Sequence, residues 1–104
     1  NCQPGQIALS SVGNAIEAMM RAVAREVAPR IRINAVSPGT IDTPMVTVQG
    51  VEREDLYNKM TKNNLIPRAG TADEVAQGIL FVIKNNFVTG TTVDVDGGWL
   101  LQEL

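Results

Sequence analysis

The sequence predicts the α/β class, a parallel sheet covered by helices in the order helix, strand, helix, helix, strand. Three observations carry this. Residues 10–28 repeat apolar side chains at helical spacing. Two short β-branched runs, at 31–37 and 91–95, are separated by two further helical segments. Each run stops at a glycine turn, Pro38-Gly39 and Gly97-Gly98. A helical connection between strands makes a right-handed parallel crossover. Parallel sheets are covered on both faces and contain several strands, so two strands need something to complete them.

The first helix is expected from about Ser10 to Ala28. Ser10 or Ser11 can cap its free amides. Ala15, Met19, Ala22 and Val23 form one apolar stripe, and Ile16, Met20, Val23 and Val27 a second. One stripe suffices for a surface helix. Glu17 precedes Arg21 by one turn, the order that favours an ion pair. Pro29 ends the helix, because the residue before a proline is driven out of helical conformation.

Ile31 to Ser37 is expected as a strand, with Ile31, Ile33 and Ala35 on one face and Arg32, Asn34 and Val36 on the other. A loop follows from Thr40 to about Gln49. The second helix, about Val51 to Lys62, carries Glu52, Glu54 and Asp55 near its start and Lys59 and Lys62 near its end, matching the helix dipole. Its thin apolar content (Val51, Leu56, Tyr57, Met60) predicts the most exposed helix. The third opens on a capping box, Thr71 to Glu74, and repeats Val75, Ile79, Val82 and Ile83, widened by Ala76 and Leu80, up to Asn85-Asn86. Thr91 to Val95 is the last strand. Asp96-Gly97-Gly98 then reads as a turn with no helix after it.

Composition narrows the function. The chain has 104 residues, 9 basic and 11 acidic side chains and a net charge of −2, which suits one domain and argues against a nucleic-acid-binding surface. No apolar run approaches the roughly 20 residues that span a bilayer. Asn1–Gln6 shows no signal segment. Cys2 is the single cysteine, so no internal disulfide forms, and a reducing, cytoplasmic setting is expected. The absence of histidine excludes Ser-His-Asp and Cys-His catalysis and histidine-ligated metals within this chain. Asp42, Asp94 and Asp96 are too scattered for a metal set, so no metal is expected. The methionines read as packing. Trp99 is core or interface.

Three motifs carry a resemblance. Residues 15–44, including the run Arg32 to Gly39, resemble the segment that follows the catalytic tyrosine in short-chain dehydrogenase/reductases. Ile66 to Gly70 followed by Asp73 to Ala76, and Thr89 to Gly98, match that family in order and spacing. The resemblance implies a Rossmann-like fold and hydride transfer with NAD or NADP. It covers nearly the whole chain but only the C-terminal part of the family's domain. Residues 1–104 are therefore expected to be a partial domain lacking the N-terminal dinucleotide-binding half, with its glycine-rich phosphate loop.

The family places a Tyr, and four residues later a Lys, on the first helix. Counting back from Ala28-Pro29 without gaps puts Leu9 and Gly13 at those positions. Neither can move a proton, so no catalytic residue is expected in this chain. The resemblance also implies a nicotinamide loop after the first strand: a backbone amide at Ile41 and the Thr43 hydroxyl, with Pro38 and Gly39 shaping the turn. The alternative for Ser37 to Thr40 is a plain strand-to-loop turn.

Assembly is expected as a homo-oligomer, through the first helix, the last strand, or both. The first strand has an open edge and the first helix carries excess apolar surface. The leading expectation for function is a short-chain dehydrogenase/reductase-like oxidoreductase part, inactive as this chain alone. The alternatives are a non-catalytic remnant that oligomerises and a small binding domain using Thr40 to Thr43.

Overall fold

The computed structural model describes residues 7–43 and 53–102, the side chains of residues 7–12 excepted. Cys2, the caps proposed at Ser10 and Ser11, the expected loop from residue 44 to about Gln49 and the expected helix start at Val51 and Glu52 lie outside what is described. The elements are α1 (Ile7–Val27), β1 (Ala35–Pro38), β2 (Ile41–Asp42), α2 (Arg53–Thr61), β3 (Gly70–Thr71), α3 (Ala72–Lys84) and β4 (Thr92–Val95), followed by a short 3-10 turn at Trp99–Leu101. The predicted α/β class is observed, and the order helix, strand, helix, helix, strand holds for α1, β1, α2, α3 and β4, with β2, β3 and the 3-10 turn added.

β1 and β4 pair in parallel, with Ala35 opposite Thr92 and Pro38 opposite Val95. The ladder starts later than Ile31, a correction to the predicted strand. Upstream of Ala35 the partner segment bends at Gly90, whose φ is +73°. Ile33 therefore bonds the Thr89 hydroxyl and the Gly90 amide instead of a regular partner strand. The alternation survives the bend. Arg32 and Asn34, on one face, both donate to the Val88 carbonyl, at 2.9 and 3.0 Å.

A second parallel pair, β2 with β3, joins Ile41 to Gly70 and Asp42 to Thr71. The sequence reading has a loop here. Two-residue strands carry no periodicity, so only the register of distant segments reveals them.

α3 is held at both ends and along its length. The Thr71 hydroxyl accepts from the Glu74 amide at 3.1 Å, and the Glu74 carboxylate accepts from the Thr71 amide at 2.9 Å, completing the predicted capping box. At the other end, Arg32 donates to the carbonyls of Val82 and Ile83 at 2.7 and 2.8 Å. Those carbonyls belong to the last turn, where intrahelical donors run out and the dipole is negative. Between the ends, Gly78 brings α3 onto the sheet. A Cβ there would stand 3.0 Å from Val95 Cγ2 and 3.6 Å from Val36 Cγ1.

The buried apolar residues among those described are Ala24, Tyr57 and Val82. α1 contributes only Ala24, beside Gly90. Its Ile16 is 60% and its Met19 67% exposed. α2, by contrast, buries Tyr57 and Thr61. This corrects the expectation that α2 is the most exposed helix. Tyr57 and Thr61, one turn apart, share the face that is used, while Met60 stays 48% exposed.

Candidate functional site

In parallel α/β sheets, ligands are received outside the carboxyl ends of the strands. Pro38 and Gly39 occupy that position at the end of β1. The Gly39 amide extends the ladder by donating to the Val95 carbonyl at 3.0 Å. A Cβ on Gly39 would stand 2.8 Å from Asp96 Cα, so this backbone approach requires glycine. One residue on, the Thr40 carbonyl accepts from the Gly70 amide at 2.9 Å, and Ile41–Asp42 enter the β2–β3 pair. The segment is thus tied to β4 first and to β3 next.

Thr40 and Ile41 line a cavity of about 330 Å³ with Arg68, Glu74 and Asp94 to Gly98. Thr43 lies beyond it. Its amide donates to the Tyr57 hydroxyl at 3.3 Å, and its carbonyl accepts from Arg53. The four residues read from sequence therefore fall on one continuous stretch, with Ile41 on the cavity wall and Thr43 turned towards α2. Tyr57 and Arg53 were not foreseen here. Their spacing of four puts them on one helical face, the available signal.

Charge around the cavity is largely internal. Arg68 and Glu74 form a two-pronged pair, 2.8 Å on each prong. Arg68 first, then the Thr71 amide, hold the Glu74 carboxyl down at about 2. Burial first, then Asp96 and Glu17, push the Asp94 carboxyl above its ordinary range. Asp42 pairs with Arg53 at 2.6 Å.

The Gly97-Gly98 turn tests whether a dinucleotide phosphate could sit here. Both glycines have positive φ, +63° and +80°, as the predicted turn requires. A 3-10 turn does follow, a correction to the reading that no helix comes after. It has three residues, too few for a helix dipole of consequence. The Asp96 carboxylate already accepts from the Gly98 amide at 2.9 Å and the Leu100 amide at 3.3 Å. Amides satisfied by a carboxylate do not also cradle an anion. The Gly97-Gly98 turn therefore does not fit a pyrophosphate.

Gly13 lies on α1 with open space where a Cβ would go. Leu9 is also on α1, its side chain outside the described set. No helix among the described residues is long and apolar enough to cross a membrane.

A parallel β1–β4 pair with its glycine turn and a capped helix packed on it defines part of a doubly wound sheet. Residues 2–100 match the family model described as enoyl-(acyl carrier protein) reductase. The chain is 34% identical over 101 residues to the short-chain reductase protein NovJ of Streptomyces niveus, covering 90% of this chain and 38% of that protein. It is 39% identical over 102 residues to carbonyl reductase family member 4 of Xenopus tropicalis, covering 94% and 41%. A crystal structure of a small-chain dehydrogenase in complex with NADPH superposes with a TM-score of 0.77 at 36% identity, covering 92% of this chain and 44% of that one. The chain belongs to the short-chain dehydrogenase/reductase family. It spans about two fifths of the length of these relatives.

Proposed function

We propose that this chain supplies the nicotinamide end of an NAD or NADP site in a short-chain dehydrogenase/reductase-like oxidoreductase, and that alone it turns nothing over. The observation that carries the reading is the Pro38 to Thr43 stretch, tied to β4 and β3 at the carboxyl end of β1. In this reading the Ile41 amide and the Thr43 hydroxyl hold the carboxamide, while Pro38 and Gly39 set the backbone course. The bound dinucleotide would supply the hydride chemistry. The chain's own residues orient one end of it and move no proton, since Leu9 and Gly13 stand at the family's acid–base positions. We place the protein in the cytoplasm, following its single cysteine.

A second reading is favoured by Leu9 and Gly13 themselves: a non-catalytic domain whose role is assembly. Exposed Ile16, Met19 and Val23 on α1 support pairing with a second copy through that helix, and β4 offers a further surface.

Calorimetric titration with oxidised or reduced dinucleotide tests the first reading. No saturable binding is expected in the micromolar range, because no cradle for the pyrophosphate is formed among the described residues. The double variant Leu9→Tyr with Gly13→Lys is expected to stay inactive, since an acid–base group without a positioned hydride donor has nothing to act on. Measurable turnover would overturn the view that the missing cofactor surface limits the chain. An active wild-type chain would overturn both readings.

A further inference from the structure

We propose that Tyr57 is a positioning residue that fixes the Thr43 backbone, with Arg53 as its outer brace, so that α2 and the stretch ending at Thr43 behave as one body. The relevance to nicotinamide rests on the reading above; the clamp itself rests on geometry. Tyr57 is 6% exposed, yet its hydroxyl reaches the Thr43 amide at 3.3 Å. One turn earlier on the same face, Arg53 grips Thr43 from the other side through its carbonyl and pairs with Asp42. The guanidinium also lies 5.7 Å from the Tyr57 ring centroid, within cation–π range. Three contacts thus converge on two consecutive residues from one helical face.

Their weights differ. Arg53 and Asp42 are about half exposed, 50% and 53%, where an ion pair contributes little. The tyrosine bond comes from a buried ring whose packing holds the hydroxyl in place. Tyr57 is therefore the principal contact. Its helix is otherwise polar and buries little beyond Tyr57 and Thr61, so the anchoring of α2 and the placement of Thr43 depend on the same ring. A cavity of about 500 Å³, lined by Asp42, Arg53, Tyr57 and Ala69 among others, opens beside the clamp. A shift of α2 would change its shape and the course of Thr43 together.

Amide hydrogen exchange and nitrogen–proton spectra of the 104-residue chain test this, with nicotinamide mononucleotide at millimolar concentration as the probe. Tyr57→Phe keeps the ring and removes the hydroxyl. The Thr43 amide is expected to exchange about tenfold faster, as for loss of one hydrogen bond, while the Val93 amide in β4 stays unchanged. The probe-induced shifts at Ile41 and Thr43 should shrink. Arg53→Met should do the same more weakly. Unchanged Thr43 exchange in Tyr57→Phe overturns the clamp, and so does an equal rise at Val93, which would mark general loosening. Faster exchange with probe shifts retained in full overturns the positioning role. A wild-type chain in which the probe moves neither amide overturns the nicotinamide reading, while the exchange result still decides the clamp.

Discussion

α1 and α3 are both amphipathic helices, and the fold treats them differently. α3 carries a complete capping box, a guanidinium on its last carbonyls and a glycine contact that seats it on β1 and β4. α1 is longer, 21 residues against 13, and buries only Ala24 among its described side chains. The difference lies in the partners. The partners of α3's ends and of its Gly78 contact sit between Arg32 and Val95, although along its length it buries only Val82 and leaves Ile79, Leu80, Phe81 and Ile83 exposed. α1 shows apolar groups in two directions, and this chain covers neither fully. An amphipathic stripe thus states that a helix must be covered, while the cover itself comes from elsewhere in the fold.

The sharpest way to break the comparison is to charge the open face of α1. If a second copy covers it, Met19→Glu should raise the dissociation constant on the order of a hundredfold, because a buried unpaired charge costs several kcal/mol. Sedimentation of the wild type and variant at micromolar concentration checks this. A folded wild-type monomer would sink the assembly proposal. Arg32→Met attacks the opposite case. It removes charge-assisted bonds to three carbonyls and should lower unfolding stability by about 2–3 kcal/mol in urea. A loss under half a kcal/mol would show that water replaces the guanidinium at no cost.

Smaller changes sharpen the contrast. Thr71→Ala should cost about 1 kcal/mol through the lost cap. Gly13→Ala should add about 1 kcal/mol, since it lies inside α1 with nothing near its Cβ position. Opposite signs in paired thermal melts would confirm that the start of α3 is already capped while α1 still carries a residue unfavourable to a helix. The smallest effect is that of pH. Glu74 is depressed from 4.5 to about 2, so its contribution is fully present above 4.5 and fades as pH falls towards 2. Asp94 is raised, so ionising it opposes folding, and that opposition is relieved on acidification. Glu74→Gln should flatten the acid-side loss between those two values, as read from urea midpoints. An unaltered acid limb would mean the exposed Arg68 pair contributes nothing.

Most elements could be read from residues alone. The capping box located α3, the apolar spacing located α1, and the positive-φ glycines after Asp96 marked a turn by composition. The stretch from Pro38 to Thr43 was legible as a site through resemblance; its tethering was not. β2 and β3 are two residues each, and Tyr57 belongs to a helix too polar to suggest a buried ring.

By itself, the sequence determined the order of the five longer elements, the helix cap at Thr71 and the presence of Leu and Gly, not Tyr and Lys, at positions 9 and 13. These depend on local propensity, spacing and residue chemistry. The tertiary structure decided what touches what. It set the register of β1 on β4, the grip of Arg32 on the end of α3 some fifty positions away, the self-satisfied Asp96 turn and the Tyr57 bond to Thr43. The physical reason is range. Backbone preference acts over a few residues, whereas a hydrogen bond between segments exists only once packing has brought both partners to the same point in space.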